Sequence, residues 1–441
     1  MALFDLIFKH GTIVNHCGIF AADIAVKDGR IADIGSFAAV DANEMLDCTG
    51  LHILPGVIDT QVHFREPGLT GKEDMKSGSL SAVMGGVTSV FEMPNTSPLT
   101  IDKNSFEDKI ARASATMHCD FAFYVGGTSE NTGQLAALEK LPGCAGVKVF
   151  MGSSTGSLLV SDDQGIAAIL DVISRRAAFH SEDEERLNQR KNLRIDNDPA
   201  SHPVWRDAEV ALKSTRRLVE LARRAAKRIH ILHVSTRDEM EFLANHKDIV
   251  SVEVTPHHLT LDDSAYKELG TLVQMNPPIR SKQHQNGLWR ALDNGIADIL
   301  GSDHAPHTVA EKSRPYPLSP SGMGGVQTLV PIMLDHVNKG RLNLMRFVDM
   351  TSAGPNRLFN IAGKGRLAVG YDADLTIVDM KRSQTITNDQ VASKAGWTPY
   401  DGKKVTGWPI GTIVRGHKVM WEGELVEQAC GRPVRFSEAL G

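Results

Sequence analysis

Paired cysteines are missing from this sequence. Its five cysteines, Cys17, Cys48, Cys119, Cys144 and Cys430, are scattered without a Cys-x-x-Cys spacing. That excludes a disulfide framework and a thiolate zinc site, and it leads us to expect a reducing, cytoplasmic setting. Long apolar runs are missing too: none approaches the ~18–20 residues needed to cross a bilayer. Met1 to Gly11 carries Asp5 and Lys9 within its apolar stretch, which argues against a signal peptide. Basic excess is absent, since the net charge is −5, so no field favours nucleic acid and the expected partner is a small molecule. Internal repeats and low-complexity tracts are absent. Gly322-Met323-Gly324-Gly325 matches neither a P-loop nor a dinucleotide fingerprint, and there is no Gly-x-Ser-x-Gly nucleophile elbow.

What is present is 441 residues of ordinary globular composition, 41% hydrophobic and 23% charged. That length suits one large barrel of ~250 residues or more with a smaller domain. Eight short apolar runs occupy the middle: Gly56–Asp59, Ser89–Met93, Phe121–Val125, Gly146–Phe150, Ala177–Phe179, Ile229–Leu232, Ser251–Val254 and Ala297–Leu300. Helix-like stretches such as Arg206 to Ala226 separate them, and eight strand–helix alternations predict a parallel (β/α)8 barrel over 56–365. Both chain ends have a different texture. Asp5 to Val14 and Asp23 to Ile34 alternate apolar and polar around an Asp28-Gly29 turn, and Asp374–Val378, Ile413-Val414 and Val419–Trp421 repeat the pattern before a Glu422-Gly423 turn. Residues 1–55 and 366–441 are therefore expected to form one small β-sandwich domain. The polar segment Ser181 to His202 has no apolar period and is expected to be a long loop.

Catalytic groups of such a barrel sit at the C-terminal ends of its strands. The residues there form an unusual set: His63 after the first run, Lys148 in the fourth, His180 after the fifth, His233 after the sixth and Asp303 after the eighth. Singly, each has an ordinary structural reading, as a hydrogen-bonded histidine or a capping aspartate. Lys148 is harder to dismiss, because Val147, Val149 and Phe150 flank it and would send its amine into the barrel. Together, imidazoles, a carboxylate and a lysine on one rim suit zinc or a similar divalent ion. His257-His258 reads as structural, since neighbours on a strand face opposite ways.

This order of motifs resembles the amidohydrolase superfamily over essentially the whole chain, and within it the dihydroorotase, allantoinase and hydantoinase branch. Gly50-Leu51-His52-Ile53-Leu54-Pro55-Gly56-Val57-Ile58-Asp59 is similar to the family's entry into the barrel, and Gly365 to Leu375 to its exit. The resemblance implies two zinc ions per subunit, one held by His63 and Asp303, the other by His180 and His233. A carboxylated Lys148 would bridge them, with Asp303 also shuttling the proton. It further implies substrate contacts from Arg65, Asn95, Asn276, His307 and a loop around Pro320 and Gly322. His63-Phe64-Arg65-Glu66-Pro67-Gly68 and Met93-Pro94-Asn95-Thr96 lean toward the dihydroorotases. These hydrolyse the cyclic amide of dihydroorotate reversibly to N-carbamoyl-aspartate in pyrimidine biosynthesis. An arginine fork suits that substrate's carboxylate, which hydantoin and allantoin lack. Hydrolysis of those other cyclic amides is the alternative activity. A homodimer, and association with aspartate transcarbamoylase as an active or non-catalytic partner, are the implied assemblies. One departure stands out. Gln61 replaces the first histidine of the family's His-x-His, and an amide oxygen is a weaker ligand than imidazole, so the metal beside His63 is expected to be the weaker one.

Overall fold

The structure, a computed structural model, describes residues 3–38, 41–154 and 157–437. Eight parallel strands form a nearly closed barrel: β1 (Val57–Val62), β2 (Val87–Glu92), β3 (Asp120–Gly126), β4 (Cys144–Phe150), β5 (Ala177–His180), β6 (Ile229–Ile231), β7 (Val250–Val254) and β8 (Ile299–Leu300). Each is hydrogen-bonded to the next in chain order. All eight expected runs became strands, because strands buried on both faces are written as continuous apolar stretches. A parallel bridge from Val62 to His304 closes the ring, with His63 N donating to His304 O at 2.7 Å. The seam therefore runs beside Asp303.

Alternation along each strand sorts the core. Val147 and Val149 of β4 pack outward with Val125 and Phe179, which turns Lys148 and Phe150 inward. Inside, Ile58, Phe91, Tyr124, Ala178 and Ile299 fill the barrel. The end of the chain adds to this filling. Phe121 N donates to Arg432 O, Val434 N donates to Phe121 O, and Phe436 packs edge-on against Phe91. The N-terminal mouth is thus plugged by a segment whose sequence gave no such sign.

The chain ends supply two further sheets. Residues 4–47 form one of four strands, while Thr12–Asn15, Gly18–Ala21 and His52–Pro55 join four strands from 375–425 in one of seven. Their inner faces share a core of Leu6, Phe8, Ile24 and Val26 against Ile53, Leu375, Ile377 and Ile413. The Asp28-Gly29 turn has φ 50° and 75°, the left-handed pair that a tight hairpin demands.

Two local readings change, and one segment was not foreseen. Ser181 to His202 is not an unstructured loop. It holds helices at Glu184–Gln189 and His202–Trp205 and 3-10 turns at Lys191–Leu193 and Pro199–Ser201, started by the caps Asp183 and Asp198. His257 and His258 lie on the helix Pro256–Thr260, capped by Thr255, not on a strand. Both are buried and hydrogen-bonded, His257 to Tyr400 and His258 to Thr255 and Pro277 O, so the structural reading stands for a different reason. Residues 386–402 leave the seven-stranded sheet and reach the barrel rim, where Trp397 Nε1 donates to His307 O at 2.7 Å and Ser393 bonds Glu73. Among the described residues no helix is long and apolar enough to cross a membrane.

Candidate active site

The C-terminal mouth of the barrel gathers Gln61, His63, Arg65, Asn95, Lys148, His180, His233, Asn276, Asp303 and Gly322 around one cleft. His307 and Pro320 stand behind this lining: His307 Nε2 faces Arg65 Nη2 at 3.3 Å, and Pro320 O accepts from Lys312. Phe150, Ser154, Ala305 and Ser321 also line the cleft, and nothing in their local sequence marked them.

Two donor pairs face each other across Lys148. In the first, His63 Nε2 lies 3.3 Å from Asp303 Oδ1. His63 Nδ1 meets Asn95 Oδ1 at 2.8 Å. A ring that donates Nδ1–H to that oxygen turns its Nε2 lone pair toward the Asp303 carboxylate. Gln61 Nε2 donates to the same Asp303 Oδ1 at 3.0 Å, while Gln61 Oε1 is buried without a hydrogen bond. In the second pair, His180 Nδ1 lies 3.1 Å from His233 Nε2. His180 Nε2 meets Glu182 Oε2 at 2.9 Å, and Arg206 grips the same oxygen. Burial pushes the Glu182 carboxyl up, but Arg206 and then His180 outweigh it and hold the group down at about 2. This fixes the His180 tautomer with Nδ1 facing His233, the arrangement in which a carboxylate orients a metal-binding imidazole.

Lys148 Nζ is buried with no hydrogen-bond partner among the described residues, 4.4 Å from the centre of the Phe150 ring. Burial lowers its amine to about 7 against the weaker pull of Asp303 and Glu253. This shift favours the free amine, the form able to add carbon dioxide and release a proton as it becomes a carbamate. Below it, Glu253 accepts from Thr60 at 2.8 Å, and burial raises its carboxyl to about 8. Burial likewise lowers His233, followed by the neighbouring His180 and Lys148.

The donor chemistry fits metal ions. Two atoms bound at ~2.0–2.1 Å to one tetrahedral ion lie about 3.3 Å apart, close to the spacing of both pairs. Among the described residues no three His, Cys, Asp or Glu side chains gather as a ligand group. A third ligand must then come from another residue type: a carboxylated Lys148 could serve both pairs and Gln61 Oε1 the His63 side, whereas an unmodified ammonium would oppose the fit.

Backbone strain marks the same residues. Arg65, His233 and Asp303 have φ of 64°, 37° and 48°, a region non-glycine residues enter at a cost of about 1–3 kcal/mol. Since β1 ends at Val62, it is this left-handed turn, not strand alternation, that brings Arg65 into the mouth beside His63. The Arg65 side chain is 2% exposed. Its Nε donates to Pro306 O at 3.2 Å, and burial lowers the guanidinium to about 10. Opposite, His202 Nε2 is 3.0 Å from both Met275 O and Asn276 Oδ1. A carbonyl only accepts, so Nε2 is the donor, and the Asn276 oxygen faces His202. Its amide nitrogen is left for the cleft.

Comparison with known proteins agrees with this geometry. The amidohydrolase family model matches residues 52–419. The dihydroorotase of Methanosarcina mazei is 36% identical, covering 99% of this chain and 98% of that protein. The dihydroorotase of Halobacterium salinarum is 37% identical, over 94% and 99%, and the L-hydantoinase of Paenarthrobacter aurescens 34% identical, over 98% of each. A solved structure of L-hydantoinase (dihydropyrimidinase) from Arthrobacter aurescens superposes with a TM-score of 0.93 at 33% identity, covering 98% of this chain and 99% of that one. A match that spans the barrel and both strand-rich ends, with neighbours of both kinds, makes this chain an enzyme of the amidohydrolase family, on the branch that holds dihydroorotases and hydantoinases.

Proposed function

We propose that the protein is a dihydroorotase, opening and closing the cyclic amide of dihydroorotate as a step of pyrimidine synthesis. The observation that carries this reading is Arg65. Its guanidinium lines the cleft, is almost wholly buried, and makes no ion pair with any carboxylate among the described residues. A buried cation with only neutral partners is costly, and a substrate carboxylate is the partner that would complete it as a charge-assisted pair.

His63 with Asp303, and His180 with His233, would each hold one zinc ion, with carboxylated Lys148 shared between them. Zinc, when bound, supplies polarisation of the scissile carbonyl and lowers the pKa of water toward ~7. The chain's own groups do the rest. Arg65 anchors the carboxylate and so sets which carbonyl lies over the donor pairs. Asn276 offers its amide N–H to a ring carbonyl, in the orientation that His202 imposes. Asp303 has one oxygen, Oδ1, engaged by Gln61 and His63, while Oδ2 accepts no hydrogen bond among the described residues. We assign to Oδ2 the proton taken from water and passed to the leaving ring nitrogen. Ring closure uses the same groups in reverse.

The second reading, a hydantoinase, rests on the similarity to L-hydantoinases at about the same identity as to dihydroorotases. Assaying purified protein with dihydroorotate, hydantoin and allantoin in parallel, with zinc measured on the same sample, separates the two. Preference for dihydroorotate is the expected result. A clear preference for hydantoin with bound zinc would overturn the dihydroorotase reading and leave the family intact.

A further inference from the structure

A second cleft of about 350 Å3 opens at the opposite, N-terminal end of the barrel, within the size range of small-molecule sites. Its wall carries Arg175, Arg176, Lys227, Arg228 and Arg357 and no carboxylate. Arg357 is paired with Asp349 at 2.8 Å. The other four form no ion pair among the described residues; what partners they have are neutral. Arg175 donates to the carbonyls of Glu139 and Cys144, Arg176 to Ile229 O and Ser251 Oγ, and Lys227 to Ile173 O. Arg228 has no hydrogen-bond or ion-pair partner among the described residues. Of the acids nearby, Glu139 is spent on Ser174 and the Arg175 backbone N–H, and Asp298 is paired with Lys247. Four cations crowded with no ion-paired carboxylate among the described residues repel one another. Burial and then the Arg228 charge depress the Arg176 guanidinium against the weaker pull of Asp298. Such an arrangement is relieved by a multiply charged anion, and guanidinium forks match phosphate oxygens two by two. Ala145, Leu358 and Phe359 add an apolar floor that suits an organic group carried on the phosphate.

We propose that this cleft binds a phosphorylated small molecule, its phosphate oxygens held by Arg176, Lys227 and Arg228. The placement gives the site a second property. Arg176 immediately precedes β5, Arg228 precedes β6, and Ala145 lies at the start of β4, the three strands that lead to His180, His233 and Lys148. Whatever occupies the cleft bears on the feet of the strands whose heads hold one whole donor pair and the shared lysine.

Calorimetric titration of the zinc-loaded protein at low ionic strength tests this, with inorganic phosphate, a nucleoside monophosphate (AMP) and a dicarboxylate (succinate) as probes. Saturable binding of AMP is expected. Equal binding of inorganic phosphate would assign the affinity to the phosphate group alone and support the site. Succinate should bind more weakly. Arg228→Glu, at an exposed side chain without partners, should weaken phosphate binding roughly tenfold to a hundredfold at unchanged melting temperature, and Arg228→Gln should weaken it less. Three results would overturn the proposal: no saturable phosphate binding up to about 10 mM, binding unaffected by Arg228→Glu, or binding abolished by Arg65→Ala, which would place the anion in the catalytic cleft instead.

Discussion

The two donor pairs of the catalytic cleft have similar spacing but different support. His180 is backed by a carboxylate, Glu182, itself clamped by Arg206. His63 and Asp303 are backed by neutral amides, Asn95 and Gln61. A carboxylate behind an imidazole increases its basicity and locks its tautomer; an amide only orients it. On the proposed reading, the His180 and His233 half would be the firmer one, and the His63 and Asp303 half the one where donors remain adjustable. That asymmetry suits the proton transfer we propose for Asp303, which could not then give both oxygens to a fixed role.

Several substitutions bear on this difference. Lys148→Ala should have the largest effect, because it removes the group that the proposed site shares between both halves: both metals and nearly all turnover should be lost, with partial rescue by added short carboxylates. Active protein with a bare, salt-bridged Lys148 in its crystal structure would refute the bridge. Asp303→Asn comes next. The amide keeps an oxygen for zinc but moves no proton, so kcat should fall about 10²–10⁴-fold while the His180 side keeps its metal; near-normal kcat would make Asp303 merely structural. Arg65→Ala should leave both halves loaded and lower dihydroorotate turnover roughly tenfold to a few hundredfold, the value of one charge-assisted pair of ~1.5–3 kcal/mol. Wild-type rates in that variant would remove the basis of the substrate assignment. Glu182→Gln converts the firm half into a copy of the soft one, and zinc affinity there should drop about 10–100-fold, measured by competition with a chelator. Gln61→His should do the opposite and least, tightening the His63 side without altering the fold. If mild chelation strips both metals of the native protein at one rate, the asymmetry does not exist.

Much of this architecture was legible because burial writes itself into composition. The eight parallel strands are covered on both faces, so each is a solid apolar run, and the histidines, lysine and aspartate at their ends interrupt those runs visibly. Gln61 stood out only against the family pattern. What escaped reading depends on contacts between distant charges. Glu182 finds Arg206 across 24 positions, and the helices between them are held by Arg186 and Arg190 on Asp207 instead of by an apolar stripe. With four to six residues each, those helices are too short to show a period. The His257-His258 helix did carry a signal, Thr255 as cap and Pro256 in the first turn, which outweighs the strand reading. Glu73 was invisible for another reason: it joins His304 to Ser393, tying the rim to a segment 320 residues later in the chain.

The left-handed backbone of Arg65, His233 and Asp303 has a consequence for anyone engineering this protein. Glycine would sit at those three positions without torsional penalty, whereas the present residues hold about 1–3 kcal/mol each in reserve. A campaign that selects only for heat resistance is therefore drawn toward the very codons to which we assign the chemistry, and on that assignment its most robust survivors at positions 65, 233 and 303 would be inert. Screening for turnover in every round is the safeguard, and the same three positions offer a quick audit of any stabilised library: enrichment of glycine there marks a lineage that has traded its reaction for relief of backbone strain.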